Sequence, residues 1–435
     1  VTEYRYGMLS LVRTDIKTVQ VQAIRRKPRN DWGYDLIPIK HLNLSRKRHA
    51  KINEEFLEIE AVLPSGEKMV EYHAEVIPKI NVLQRKRSGK GLNVNILLVG
   101  FDSTSAAQMQ RALPKVYKFL QNDLGSYVFN GYSIVGDGTT PQLTAMLTGR
   151  TEMELPEARR GYPNSTTVDS WPWIFKEFRD HGYATLYSED DAYYNAFNYR
   201  LYGFRDPPAD HYTRPFWEAA RTAGYCIKST PQPQFHFNYV ESFMKTYENQ
   251  PKMGFSFLAE ISHSNMNTLR PTEGFVLKFF KSIWEKGYLN NTILITFSDH
   301  GMRFGEARAT MQSRLEERLP FLSITLPEAI REKYPHLHNN LEVNRNKLLS
   351  PFDIHATLLH ILNYPDRKPG KIGLSLFQTI PEHRNCEACG IPEHYCPCVQ
   401  LQEIPTAHPH VQKAAKELVA HINRVLKGDK LASKM

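Results

Sequence analysis

The sequence predicts an α/β fold built on a mostly parallel sheet, and three observations carry this. From residue 91 onward, short apolar runs ending on polar residues alternate with amphipathic stretches of helical period. The runs are apolar throughout, as strands covered on both faces must be. The 435 residues, 41% hydrophobic and 23% charged, have the balance of a globular chain with a large core.

Residues 1–90 carry alternating stretches such as "EFLEIEAVL" and "MVEYHAEVIPKI" across the turn "PSGE". This is a hairpin pattern, so an N-terminal β-rich module is expected. It closes on the basic "RKRSGKG". The run "NVNILLVGFDST" then opens an α/β domain expected to span 91–385. Helix-like "AAQMQRALPKVYKFLQ" and "WPWIFKEFRDHG" alternate with strand-like "YATLYSED", "GFSFLAEISHS" and "NTILITFSDHG". A helix at 274–289 sets Val276, Phe279, Phe280, Ile283 and Trp284 on one face as core. Residues 386–435 hold the cysteine-rich "CEACGIPEHYCPC" and an amphipathic helix expected to dock through Leu418, Ile422 and Val425.

The 55 basic residues against 46 acidic ones give +9, with clusters at 46–51 ("RKRHAK") and 85–90 ("RKRSGK") able to meet an extracellular polyanion. No basic motif interleaved with aromatics is present, so nucleic acid is not an expected partner. No apolar run approaches the ~20 residues needed to span a bilayer. Val1 in place of methionine suggests a cropped amino terminus that could have carried a signal or anchor. Glycosylation acceptors at Asn43, Asn164 and Asn290 fit a secreted or lumenal chain. Cys386, Cys389, Cys396 and Cys398 allow two disulfides or a zinc knuckle with His394; the disulfides are favoured, and Cys226 is left over.

Ligands of parallel α/β sheets bind beyond the carboxyl ends of the strands. The polar tips there are Asp102, Glu189 with Asp190, His263, and Asp299 with His300. Singly, each has a bland role as a cap or a satisfied structural group. Jointly, two aspartates and a histidine form a donor set suited to zinc or manganese.

Taken in order, "NILLVGFDS", "GTTPQLTAMLTGR", "LITFSDHGMRFGE" and "EERLPFLSITLP", followed by "SPFDIHATLLHIL" and "GLSLF", resemble the sulfatase-like branch of the alkaline phosphatase superfamily. More narrowly, with the cysteine-rich tail, the chain is similar to an animal sulfatase-like family of DUF229-like domains of unknown function. The resemblance implies an alkaline-phosphatase-like three-layer sandwich. It also implies that Asp102, Asp299 and His300 are metal ligands and that a hydroxyl nucleophile, itself on the metal, stands at the threonine corner. Superposing the sulfatase pattern Cys-x-Pro-x-Arg through Leu-Thr-Gly-Arg puts Thr139 on the nucleophile and leaves Thr140 as a helix cap.

Phosphodiesterases of that superfamily also carry threonine there. Sulfatases need formylglycine made from cysteine or serine, which threonine cannot yield, and Leu143 stands in place of their motif arginine. The resemblance therefore implies a metal-dependent phosphodiesterase or phosphotransferase with a phospho-threonine intermediate, acting on an extracellular or lumenal ester of a lipid head group or glycan. His263 looks like the substrate-contacting histidine of one-metal phosphoglycerol and phosphoethanolamine transferases. Ser262 stands where two-metal members have an aspartate, so one ion is expected; Glu260 with Glu189 or Asp190 is the alternative second site. Arg303 is expected to contact the phosphate or head group, whereas His355 is expected to pack at a helix start. The competing expectations are a sulfatase working without formylglycine and an inactive pseudoenzyme that binds polyanions.

Overall fold

The computed structural model describes residues 1–13, 15–39, 48–366, 370–398 and 404–428. It comprises two units, Val1–Pro397 and Cys398–Met435.

In the first unit, seven strands form the central sheet: β1 (Asn95–Phe101), β2 (Tyr127–Val128), β3 (Ala184–Glu189), β4 (His211–Tyr212), β5 (Lys252–Leu258), β6 (Thr292–Ser298) and β7 (Leu322–Thr325). Their order is β4-β3-β5-β1-β6-β7-β2. The first five in that order are parallel, and β7 and β2 each pair antiparallel.

The alternation of side chains along β1 explains the layers. Ile96 and Leu98 enter one core with Leu143, Met146, Ile174 and Leu358, from helices Thr139–Thr148, Ile174–Asp180 and Pro351–Asn363. Leu97, Val99 and Phe101 enter the other with Phe237, Phe279 and Ile283, from helices Gln232–Thr246 and Glu273–Glu285. The result is the expected three-layer sandwich. Gly100 breaks the apolar run because a Cβ there would lie 2.4 Å from the Phe257 ring and 2.6 Å from that of Phe297. Bare backbone lets the two rings meet across the strand that leads to Asp102.

Ahead of this sheet, strands Thr18–Arg26, Tyr34–Pro38, Phe56–Val62 and Lys68–Ala74 form an antiparallel sheet whose last pair is the expected hairpin. Its buried Asp31 reaches into the α/β body. The carboxylate accepts from Asn198 Nδ2 at 2.9 Å, the Phe204 amide at 3.0 Å, the Tyr212 hydroxyl at 3.1 Å and Arg26 Nε at 3.1 Å.

Several expectations are corrected. Trp284 is 44% exposed; it lies eight residues past Val276, about 80° around the helix and at the edge of the buried stripe. One disulfide, Cys386–Cys396, takes the place of the expected pair. Cys389 is buried with its thiol 3.5 Å from the Leu348 carbonyl, and Cys226 and Cys398 are exposed. Asn164 and Asn290 are exposed, while Asn43 lies outside the described residues. Of the basic runs, 46–47 lie outside them too, and Arg85 is drawn inward, paired with Asp210 at 2.5 Å. No described helix is long and apolar enough to cross a membrane. In the second unit the helix Pro409–Gly428 forms, and nothing within that unit covers Leu418, Ile422 or Val425.

Candidate active site

β1 and β6 are adjacent, with Phe101 opposite Ser298, so the residues that follow them emerge side by side. They are Asp102, Asp299 and His300, all buried. His300 Nε2 lies 3.7 Å from Asp102 Oδ1 and 3.2 Å from Asp299 Oδ2. Within residues 1–397, this is the set of described residues that brings three donor atoms within 4.8 Å of one another.

Each of these side chains is oriented from behind. Asp299 Oδ1 accepts from the amides of Ser103 at 3.1 Å and His300 at 2.8 Å, while Oδ2 accepts no hydrogen bond among the described residues. His300 Nδ1 lies 2.7 Å from the Gly301 carbonyl, which can only accept. Nδ1–H therefore donates to that carbonyl, which turns Nε2 toward the two aspartates. Ser103 holds a left-handed backbone, φ 56°, strained for a residue with a Cβ. That turn lets its hydroxyl donate to Asp102 Oδ1 at 2.8 Å while its amide reaches Asp299. The carboxyl groups of Asp102 and Asp299 and the Nε2 of His300 thus converge on one point. Burial and the charge of Asp299 push Asp102 well above the usual carboxylate range. A buried set of oxygen and nitrogen donors with an orphaned carboxylate oxygen fits a divalent cation.

Thr139 joins this set from the far side: its Oγ1 is 3.5 Å from His300 Nε2. It opens the helix Thr139–Thr148, and Gly138 occupies the cap with φ 79°. Thr140 is not the cap; its hydroxyl donates to the Ala196 carbonyl at 2.9 Å, tying the corner to the loop after β3. Leu143 is fully buried in the core. His355 is structural, its Nδ1 3.1 Å from the Met146 carbonyl, and burial holds it neutral with its pKa lowered to about 4.

A cavity of about 430 Å³ opens over Thr139. His263 lines it, stacked on Tyr194 at 4.0 Å between ring centroids, and burial lowers its pKa. Arg303 lines it too, packed over Gly138 and donating from Nη1 to Asp137 at 2.7 Å. The structure thus gathers Thr139, His263 and Arg303 at one cavity whose floor adjoins the Asp102, Asp299 and His300 donors.

Glu189, Asp190 and Glu260 do not assemble a second set of three close donors. Asp190 Oδ1 takes the amides of Ala259 and Glu260 at 2.6 and 3.2 Å, and burial pushes Asp190 up to about 8 and Glu189 up to about 7. Burial and Asp191 push Glu260 up to about 7. Sequence reasoning missed Ser103, Glu152, Tyr194 and Asn195. The tyrosine-rich "AYYNAFNYRLY" at 192–202 was a legible signal for the last two.

A family model described as "Protein of unknown function (DUF229)" matches residues 8–434. The chain belongs to the DUF229 family. No curated protein matches it. Among solved structures, this DUF229 chain is similar to the C-terminal periplasmic domain of EcEptC from Escherichia coli, at 14% identity and TM-score 0.45, over 69% of this chain and 90% of that one. A protein in the alkaline phosphatase superfamily from Vibrio parahaemolyticus aligns at 15% identity and TM-score 0.47, covering 68% and 72% of the two chains. The lipoteichoic acid synthase LtaP from Listeria monocytogenes aligns at 12% identity and TM-score 0.42, covering 69% and 79%.

Proposed function

We propose that this DUF229 protein is a metal-dependent phosphodiesterase or phosphotransferase with Thr139 as its nucleophile. The observation that supports this most is the placement of Thr139 Oγ1, 3.5 Å from His300 Nε2, at the start of a ten-residue helix. Asp102, Asp299, His300 and Thr139 would hold one divalent ion, zinc or manganese, which supplies positive charge that favours the ionised hydroxyl and neutralises a phosphoryl oxygen. The amides and dipole of the helix start bind the phosphate that Thr139 attacks. Thr139 Oγ1 bonds to phosphorus as the ester bond to its alcohol breaks, and the alcohol leaves with a proton. Water or an acceptor alcohol then displaces Thr139 and returns a proton to Oγ1. Arg303 and His263 contact the phosphoryl oxygens and the departing alcohol from the cavity side.

Phosphate is favoured over sulfate because Thr139 cannot become formylglycine and because buried Leu143 offers no guanidinium. A secreted or lumenal setting accords with the disulfide and with exposed Asn164 and Asn290.

The test is hydrolysis of bis(4-nitrophenyl) phosphate by the zinc- or manganese-loaded protein, with acid-quenched samples examined for phosphate on Thr139. Turnover lost in Thr139→Ala, with a phosphorylated peptide containing Thr139, is expected. Full activity in Thr139→Ala, or faster turnover of an aryl sulfate, would overturn the assignment.

A further inference from the structure

The cavity over Thr139 holds more polar capacity than phosphoryl transfer uses. Glu152 Oε2 is paired with Arg200 at 3.1 Å, but Glu152 Oε1 is buried without a partner among the described residues. Asn195, 1% exposed, likewise leaves its Oδ1 without a partner. Both residues line this cavity. On the donor side, Arg303 Nε is also buried without a partner. Buried polar atoms in a well-packed protein are nearly always bonded, so an unpartnered one in a residue that lines a cavity is accounted for when a bound group or an ordered water supplies the complement. Two acceptors ask for hydrogen-bond donors, and one guanidinium edge asks for an anion.

The remaining walls are aromatic. Tyr194 and Tyr199 lie 5.6 Å apart by centroid, Tyr194 stacks on His263, and Phe304 sits 5.5 Å from the same imidazole. Tyr199 and Phe304 are 47% and 41% exposed, so their rings face open space. An aromatic wall beside unmatched acceptors suits a ring whose faces are C–H and whose rim is hydroxyl. A flexible alkyl or glycerol chain would leave the acceptors unmet, because it presents fewer donors at fixed spacing.

We propose that the alcohol of the phosphate ester is a saccharide, stacked on Tyr194 and Tyr199 with its hydroxyls donating to Glu152 Oε1 and Asn195 Oδ1 while its phosphate takes Arg303 Nε. This rests on the phosphoester reading above and names its substrate class.

The experiment measures binding, by calorimetry, to metal-loaded Thr139→Ala, which cannot turn the ester over. The probes are methyl phosphodiesters of glucose, galactose and N-acetylglucosamine, with methyl propyl phosphate and the methyl ester of glycerol phosphate as controls. At least one sugar diester is expected to bind about tenfold or more tighter than either control. That advantage is expected to fall about tenfold in Glu152→Gln and in Tyr194→Ala. Equal binding of sugar and alkyl diesters would overturn the saccharide inference and leave the phosphoester reading standing. If none of the diesters binds, both fail together.

Discussion

Asp299 Oδ1 lies 3.1 Å from the amide of Ser103, so the carboxylate at the end of β6 is oriented by the backbone just beyond β1. The Ser103 hydroxyl orients the other carboxylate, Asp102, at 2.8 Å. Ser103→Ala keeps the amide and removes the hydroxyl. It is expected to lower zinc affinity by roughly 10–100-fold, as loss of a group supporting a ligand does. Competition with a chromogenic chelator measures this, and an unchanged affinity would show that Ser103 serves the turn alone.

Gly138→Ala is expected to reduce activity more than stability. Its φ of 79° with ψ of −171° lies in a region essentially reserved for glycine and costs a Cβ-bearing residue about 1–3 kcal/mol. The new methyl would also stand 3.0 Å from the Arg303 guanidinium. Displacing Arg303 from beside Thr139 should cut kcat/KM for an aryl phosphodiester at least tenfold, an effect that Arg303→Ala should reproduce without the loss of stability. Kinetics and thermal melts on the two variants separate the causes.

His236 makes the fold acid-sensitive. It is buried between the helix Gln232–Thr246 and the sheet, with Nε2 2.8 Å from Ser256 Oγ and Nδ1 3.4 Å from Ser188 Oγ. Burial lowers its pKa from 6.5 to about 3. The unfolded chain therefore binds a proton that the folded chain refuses between about pH 6.5 and pH 3, and stability falls as pH drops through that window. His236→Gln should flatten this part of the curve. Urea midpoints measured across the window test it, and curves that remain parallel would place the sensitivity elsewhere.

Asp31→Ala should separate the pocket from the metal set. It removes the acceptor shared by Asn198, the Phe204 amide and Tyr212, and it leaves Arg26 bonded only to the carbonyls of Phe204 and Arg205. The segment around Asn195 and Tyr199 loses one of its anchors, while β1 and β6 are untouched. The expected result is unchanged stoichiometric zinc with at least a tenfold rise in KM for the preferred phosphodiester. Loss of zinc together with activity would instead indicate general unfolding.

The strands and their polar tips were legible because a strand buried on both faces admits polar residues only where it leaves the sheet. Asp102, Asp299 and His300 stood out for that reason. Thr140 was misread because a hydroxyl near a helix start looks the same whether it caps the helix or, as here, bonds a loop more than fifty residues away. Trp284 was misread because the helical period bounds a buried stripe only loosely. Ser103 and Asp31 left no periodic trace: each acts through partners distant in sequence, which only the folded chain brings near. The tyrosines of 192–202 were visible, yet nothing in their spacing told which way they face.

Because Asp31 belongs to the N-terminal sheet and Asn198 to the loop that walls the cavity, the two halves of the site hang from different supports. Asp102, Asp299 and His300 are held by the central sheet, and the wall is held in part by a turn between two strands that contribute no donor. On the proposed phosphoester chemistry, changes in residues 1–90 would therefore retune which ester is accepted and leave the reaction itself in place.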